Sequence, residues 1–233
     1  MEKNYSIAGL SILMSDITGR TAAQAEAYRC DSQRTPDVIL DNHYEHLVKE
    51  HPGVSEDEIQ HMYTCGCFYT KLLDFQGMMI HASSVVVDGK AYLFSAVSGT
   101  GKSTHTRLWL KQFGERAYIL NDDKPAVRLI DGVWHACGTP WSGKHDLSRP
   151  ECVPLAGIAM VFRDETNHVE RYSGPGVVYE LLSQTLRPKD KLAKLLELMD
   201  KLVSQVPVWK LYCNMDPEAA LVSYNAMSGE EKE

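Results

Sequence analysis

Ala96-Val97-Ser98-Gly99-Thr100-Gly101-Lys102-Ser103-Thr104 is the stretch on which the reading of this chain turns. The apolar segment Lys90-Ala91-Tyr92-Leu93-Phe94-Ser95 runs into it, and a helical pattern over 104–113, with Leu108 and Trp109 inward, runs out of it. Strand, glycine-rich turn and helix in that order make a phosphate cradle. Its glycines let successive backbone N–H groups turn inward, a Lys reaches the β- and γ-phosphates, and a Ser or Thr hydroxyl ligates Mg²⁺. Gly99, Gly101, Lys102 and Ser103 supply these parts, and Ser98, Thr100 and Thr104 complete the loop. A helix starting near Lys102 adds the positive end of its dipole. The usual spacing is G-x-x-x-x-G-K-[ST], and its first glycine is replaced here by Ala96. Alanine tolerates positive φ poorly, so the loop is expected to enter on a different backbone path.

Working outward, the strand Tyr118-Ile119-Leu120 delivers Asn121-Asp122-Asp123. Phosphoryl transfer needs a carboxylate on the metal and, for a hydroxyl acceptor, a base near the attacking oxygen. Two adjacent carboxylates at a strand's end suit that division. Upstream, residues 78–87 form an apolar, partly β-branched run that reads as one strand, and Asp88-Gly89 is a hairpin turn. Downstream, 126–130 and 133–135 read as a hairpin around Asp131-Gly132, and 158–162 as a buried strand. Helices are expected over 177–186 and 189–203, parted at Pro188, then a strand at 208–212 and a last helix from Asp216.

The N-terminal third is less marked. Residues 5–14 read as a strand and 19–36 as polar and irregular. Ser55-Glu56-Asp57-Glu58 matches a capping box, and behind it Ile59, Met62, Tyr63, Gly66, Cys67 and Thr70 share one face of a helix over 56–74. These readings divide the chain into a small N-terminal lobe, 1–77, a core, 78–227, and a solvated, disordered tail, 228–233.

Composition sets the outer limits. The chain has 233 residues, 44% hydrophobic and 24% charged, which excludes disorder and fibrous repeats. Its 24 Lys and Arg against 31 Asp and Glu give a net charge of −7, no footprint for nucleic acid. No apolar stretch approaches the ~20 residues that span a bilayer, and no signal-like N-terminus is present, so a cytoplasmic protein with no membrane partner is expected. The six cysteines, among which Cys65-Gly66-Cys67 is the one close pair, read as free thiols, mostly buried. His43, His46 and His51 read as surface residues.

Ile80-His81-Ala82-Ser83, then the Ser98–Ser103 loop, then Leu120-Asn121-Asp122-Asp123 resemble the C-terminal catalytic domain of bacterial HPr kinase/phosphorylase and its shorter relatives. That family shares its core with ATP-dependent phosphoenolpyruvate carboxykinase. The resemblance covers residues 75–135 well and the C-terminal hundred loosely. It implies an α/β fold, in the sense of α+β with a mixed sheet, with a P-loop kinase core and a small N-terminal lobe. It implies ATP and Mg²⁺ as cofactors, Lys102 on the β/γ-phosphates and Ser103 on the metal. Asp122 would be the general base and Asp123 the second metal ligand, with the reverse order left open. His81 would stand beside the transferred phosphate. The family's acidic residue after the loop is here Thr104-His105, and its arginine-containing motif has no match, so the resemblance does not extend to HPr phosphorylation or its phosphorolytic reversal.

In place of that motif stands Cys137-Gly138-Thr139-Pro140-Trp141-Ser142-Gly143-Lys144-His145. An exposed Trp141 with Lys144, His145 and Arg149 nearby would suit an anionic substrate or the γ-phosphate. Two functions are therefore expected. One is an ATP- and Mg²⁺-dependent kinase acting on a hydroxyl of a small molecule or of a peptide or protein serine; the other is an ATP-binding sensor or adaptor acting through a protein partner without turnover. Homo-oligomerisation is left open.

Overall fold

The computed structural model describes residues 2–32, 34–97, 99–143 and 145–229. The chain opens as a hairpin, β1 (Lys3–Ile7) and β2 (Leu10–Met14), so the expected single strand over 5–14 is two. The turn between them is Ala8-Gly9, with Ala8 at φ 52°, a conformation that two-residue hairpins require but that alanine does not signal. α1 (Gly19–Ala25) forms inside the stretch expected to be irregular, and β3 (Val38–Leu40) adds parallel to β2. α2 (Glu45–Glu50) and then α3 (Glu56–Leu72) follow. Ser55 Oγ accepts from the Glu58 N–H at 3.2 Å, as the capping box requires. The buried stripe of α3 is Ile59, Cys65, Phe68, Tyr69 and Leu72, whereas Met62 is 65% exposed. This corrects the expected phase: Phe68 and Tyr69 carry the largest apolar area on the helix and turn it toward β1 and β2.

The second sheet begins with β4 (Gly77–Met79), β5 (Ala82–Val87) and β6 (Lys90–Ser95). The run 78–87 is thus broken at Ile80-His81. α4 (Lys102–Phe113), β7 (Ala117–Asn121), β8 (Ala126–Ile130), β9 (Val133–Cys137) and the long β10 (Cys152–Arg163) come next. β11 (His168–Tyr172), α5 (Pro175–Ser183), α6 (Leu192–Gln205), β12 (Val208–Cys213) and α7 (Glu218–Ser228) complete the chain. Ser228, expected in the tail, closes α7; Glu230, Glu231, Lys232 and Glu233 lie outside the described residues.

Strand order is β4-β8-β9-β10-β6-β5-β7, with β12 on β10 and β11 on β12. β10 joins two halves of a mixed sheet: its start pairs antiparallel with β9, and its remainder runs parallel to β6 and β12. Alternation along the strands explains why the apolar runs are nearly continuous. Val85, Tyr92, Phe94 and Val161 face Trp109 of α4 and Tyr224 of α7, whereas Val86, Leu93, Ile158 and Met160 face Leu181 of α5 and Met199 of α6. A third core joins β1, β2 and α3 to Ala126, Cys137 and Trp141.

Cys137 and Cys152 face each other across β9 and β10 and form a disulfide, which corrects the reading of all six cysteines as free. Fifteen residues separate them in sequence, and only the strand register brings them together. Among the described residues no helix is long and apolar enough to cross a membrane.

Direction decides where a site can form. β6, β7, β10 and β12 point the same way, so Ser95, Asn121, Arg163 and Cys213 end on one edge, and β5 starts there with Ala82 opposite Ser95. In open α/β sheets ligands bind outside the carboxyl ends of the strands.

Candidate functional site

The glycine-rich loop leaves β6 at that edge. Gly99 and Gly101 take φ 80° and 128°, values open to glycine and strained for any other residue. Thr100 N–H donates to Val97 O and His105 N–H to Gly101 O, which closes the first turn of α4. That turn carries no acidic side chain, so its free N–H groups meet no internal anion. Lys102 folds back across the loop, its Nζ donating to Ala96 O at 3.0 Å. Burial pulls the Lys102 pKa down, and the charges of Asp123 and Asp122 oppose that pull.

Asp122 and Asp123 follow β7 directly, but their surroundings differ. Asp123 Oδ1 lies 3.2 Å from His81 Nε2, and its Oδ2 pairs with Lys124 Nζ. Burial alone would raise its pKa; the hydrogen bonds from His81 and Lys124 prevail and hold it at about 2. Asp122 Oδ1 accepts from Ser83 Oγ at 2.6 Å. Its Oδ2 has no partner among the described residues. His81 is fixed by its backbone, since its N–H donates to Gln184 O at 2.7 Å and its carbonyl accepts from Ser95 Oγ at 2.8 Å. His81, Lys102, Asp122 and Asp123 therefore share one edge of the sheet with the loop. Ser103 and Thr104 stand in the first turn of α4 beside Lys102, and Ser98 lies outside the described residues.

The region 137–149 is arranged otherwise. Trp141 is fully buried, stacked on Phe68 with centroids 4.9 Å apart, so it is not the exposed aromatic wall expected from the sequence. Its neighbours Phe68 and Tyr69 come from α3, far away in the chain, and burying so large a ring outweighs its loop position. His145 and Arg149 are exposed, with the Arg149 guanidinium 4.0 Å over the Tyr118 ring. Lys144 lies outside the described residues. What the segment does is brace the carboxylates: Asp122 N–H donates to Leu147 O, Asn121 Nδ2 to Thr139 O, and Thr139 Oγ1 to Lys124 O. At Gly143, φ 76°, an added Cβ would come within 3.1 Å of Asp123 Cβ. Arg20 donates to Gly143 O and Tyr28 bonds Ser148, so the N-terminal segment reaches the same loop.

Sequence reasoning missed Arg163. At the end of β10 its Nε donates to Thr100 O at 3.0 Å and its Nη2 to Gly99 O, strapping the loop to the sheet. A cation closing the apolar run 158–162 was the available signal. Two clefts open on either side of this strap. One, of about 500 Å³, lies toward Glu180 and Gln184; the other, of about 450 Å³, lies toward Thr104, Asn214 and Met215. Among the described residues no three His, Cys, Asp or Glu side chains form a metal site of their own. At this edge Ser103 supplies a hydroxyl and Asp123 a carboxylate, oxygen donors of the kind that Mg²⁺ takes beside phosphate and water oxygens.

No protein-family model matches the chain, and no curated protein matches it in sequence. Among solved structures, it is similar to the HPr(Ser) kinase/phosphatase from Coxiella burnetii at 10% identity, TM-score 0.40, over 66% of this chain and 99% of that one.

Proposed function

We propose that the chain is an ATP- and Mg²⁺-dependent kinase that transfers the γ-phosphoryl group to a hydroxyl of a small molecule or of a peptide or protein serine. The observation that carries this reading is the asymmetry of the carboxylate pair. On the edge where the Lys102 loop emerges, one carboxylate is bonded through both oxygens, to His81 and to Lys124, and its neighbour keeps one oxygen open.

The roles follow from chemistry. Loop amides and Lys102 hold the phosphates, and Ser103 and Asp123 would hold Mg²⁺, which when bound offsets charge on the β- and γ-phosphoryl oxygens. Asp122 Oδ2 takes the proton as the acceptor O–H bond breaks and its oxygen bonds to the γ-phosphorus. The bond from that phosphorus to the bridging oxygen breaks, and ADP leaves with the electron pair. His81 orients Asp123 and donates to phosphoryl oxygens. With the γ-phosphate at the Asp pair, the base and ribose extend the other way, into the cleft of Thr104, Asn214 and Met215.

The test is ADP release from Mg·ATP with a panel of hydroxyl metabolites and serine peptides, beside direct measurement of nucleotide affinity. Turnover with one acceptor class is the expected result. Tight ATP binding with no ADP from any acceptor would replace this reading with the sensor, for which the Arg20–Gly143 and Tyr28–Ser148 bonds offer a route from site to N-terminal segment.

A further inference from the structure

We infer that Ser83 and Thr106 are positioning residues that set the base carboxylate against the phosphate loop; the inference rests on the kinase reading above. Ser83 Oγ lies 2.6 Å from Asp122 Oδ1 and 3.0 Å from Thr106 Oγ1, and both hydroxyl residues are buried. A carboxylate can only accept, and a serine hydroxyl has one proton. Ser83 therefore donates to Asp122, and the one proton left for the Ser83–Thr106 contact is that of Thr106, which shares it with the Ser103 and Lys102 carbonyls at 3.2 and 3.4 Å. The chain of hydroxyls has one direction, from helix to carboxylate.

Its two ends explain what it does. Thr106 opens the second turn of α4, with its Oγ1 3.2 Å from the Ser103 carbonyl, so it moves with Lys102 and Ser103. Ser83 stands near the start of β5, where its neighbour Ala82 donates its N–H to Asp123 O. The turn that carries the phosphate contacts and the turn that carries the base are thus linked by side chains that touch neither phosphate nor acceptor. With Oδ1 pinned, Asp122 presents Oδ2 in one orientation. Without the Ser83 proton, Oδ1 loses its partner and the carboxyl rotates, and misplacement by about 1 Å costs on the order of 10²-fold in rate.

The test compares Ser83→Ala, Ser83→Cys, Thr106→Val and Thr106→Ser with the parent protein and with Asp122→Asn. The readout is ADP release from Mg·ATP, with an acceptor or, failing one, with water. Ser83→Ala and Thr106→Val lose the donor with little change in packing, and Ser83→Cys keeps only a weak S–H donor, which separates this role from a folding defect. The expected result is a roughly tenfold to hundredfold fall in kcat for Ser83→Ala, Ser83→Cys and Thr106→Val, with the KM for Mg·ATP within about twofold. Thr106→Ser should recover most of the loss, and Ser83→Cys with Thr106→Val should cost little more than either alone. Normal kcat in Ser83→Ala beside an inactive Asp122→Asn would overturn the inference and leave the kinase reading standing. A raised KM with normal kcat would also overturn it. Turnover in Asp122→Asn equal to the parent, or no ADP from the parent, would remove the reading and this inference together.

Discussion

The edge of strand ends and the loop over 137–149 lie side by side, yet they treat polar and aromatic groups in opposite ways. At the edge, charged side chains are kept half-buried with one or two specific partners, as in His81 with Asp123 and Ser83 with Asp122. In the loop, the large side chain goes inward and the charges go out: Trp141 is sealed against Phe68 and Tyr69, while His145 and Arg149 face solvent. One region holds chemistry in a fixed frame and the other is part of the frame. Substitutions in the first should change turnover with little loss of stability, and substitutions in the second should do the reverse.

The largest effect that would sharpen this contrast is at Lys102. Lys102→Ala should lower kcat/KM by about 10³-fold, since a charged contact to the transferring group supplies several kcal/mol in such a site, with Tm nearly unchanged. Trp141→Ala should destabilise by about 4 kcal/mol, a fall of roughly 10 °C in Tm, and the surviving folded protein should bind Mg·ATP normally. Loss of substrate binding with no loss of Tm would break the comparison and make Trp141 a substrate wall after all.

A smaller effect concerns His61, buried in α3 with its Nδ1 3.2 Å from Thr21 Oγ1. Burial, then the charges of Arg20 and Lys124, lower its pKa to about 4 from 6.5. Below pH 6.5 the unfolded chain binds a proton there that the folded chain refuses, so stability is complete above 6.5 and is lost as pH falls through about 4. The contribution is about 3 kcal/mol. Urea unfolding of His61→Gln at pH 7 and pH 5 should show a shallower pH dependence than the parent; an equal slope would place the titration elsewhere. Smallest is Ser55→Ala, which removes the α3 cap and should cost about 1 kcal/mol without touching turnover.

Legibility divides along the same line. The apolar runs of β5, β6 and β10, the Asp88-Gly89 and Asp131-Gly132 hairpins and the strand-loop-helix unit at Lys102 were readable because each is a local pattern with a local cause. The nearness of His81 and the Asp pair to the loop came from the family resemblance alone, and the direction of β5, β6 and β7 is what puts them on one edge. The Ala8-Gly9 turn was not readable, because nothing in alanine's chemistry announces a positive φ. Nor were the burial of Trp141, the phase of α3 or the Cys137–Cys152 disulfide, since each is set by groups brought together from distant parts of the chain. Ser83 and Arg163 lay between: both sit in quoted or strongly patterned segments, but a hydroxyl or guanidinium gains its role only from the partner it meets.

Asp122→Asn measured beside Asp123→Asn tests the central claim most directly, with Mg·ATP affinity and ADP release followed in the same preparations. The account predicts that Asp122→Asn binds Mg·ATP as the parent does and turns over at least about 10²-fold more slowly, while Asp123→Asn loses the Mg²⁺ dependence of binding. Parental turnover in Asp122→Asn would contradict it.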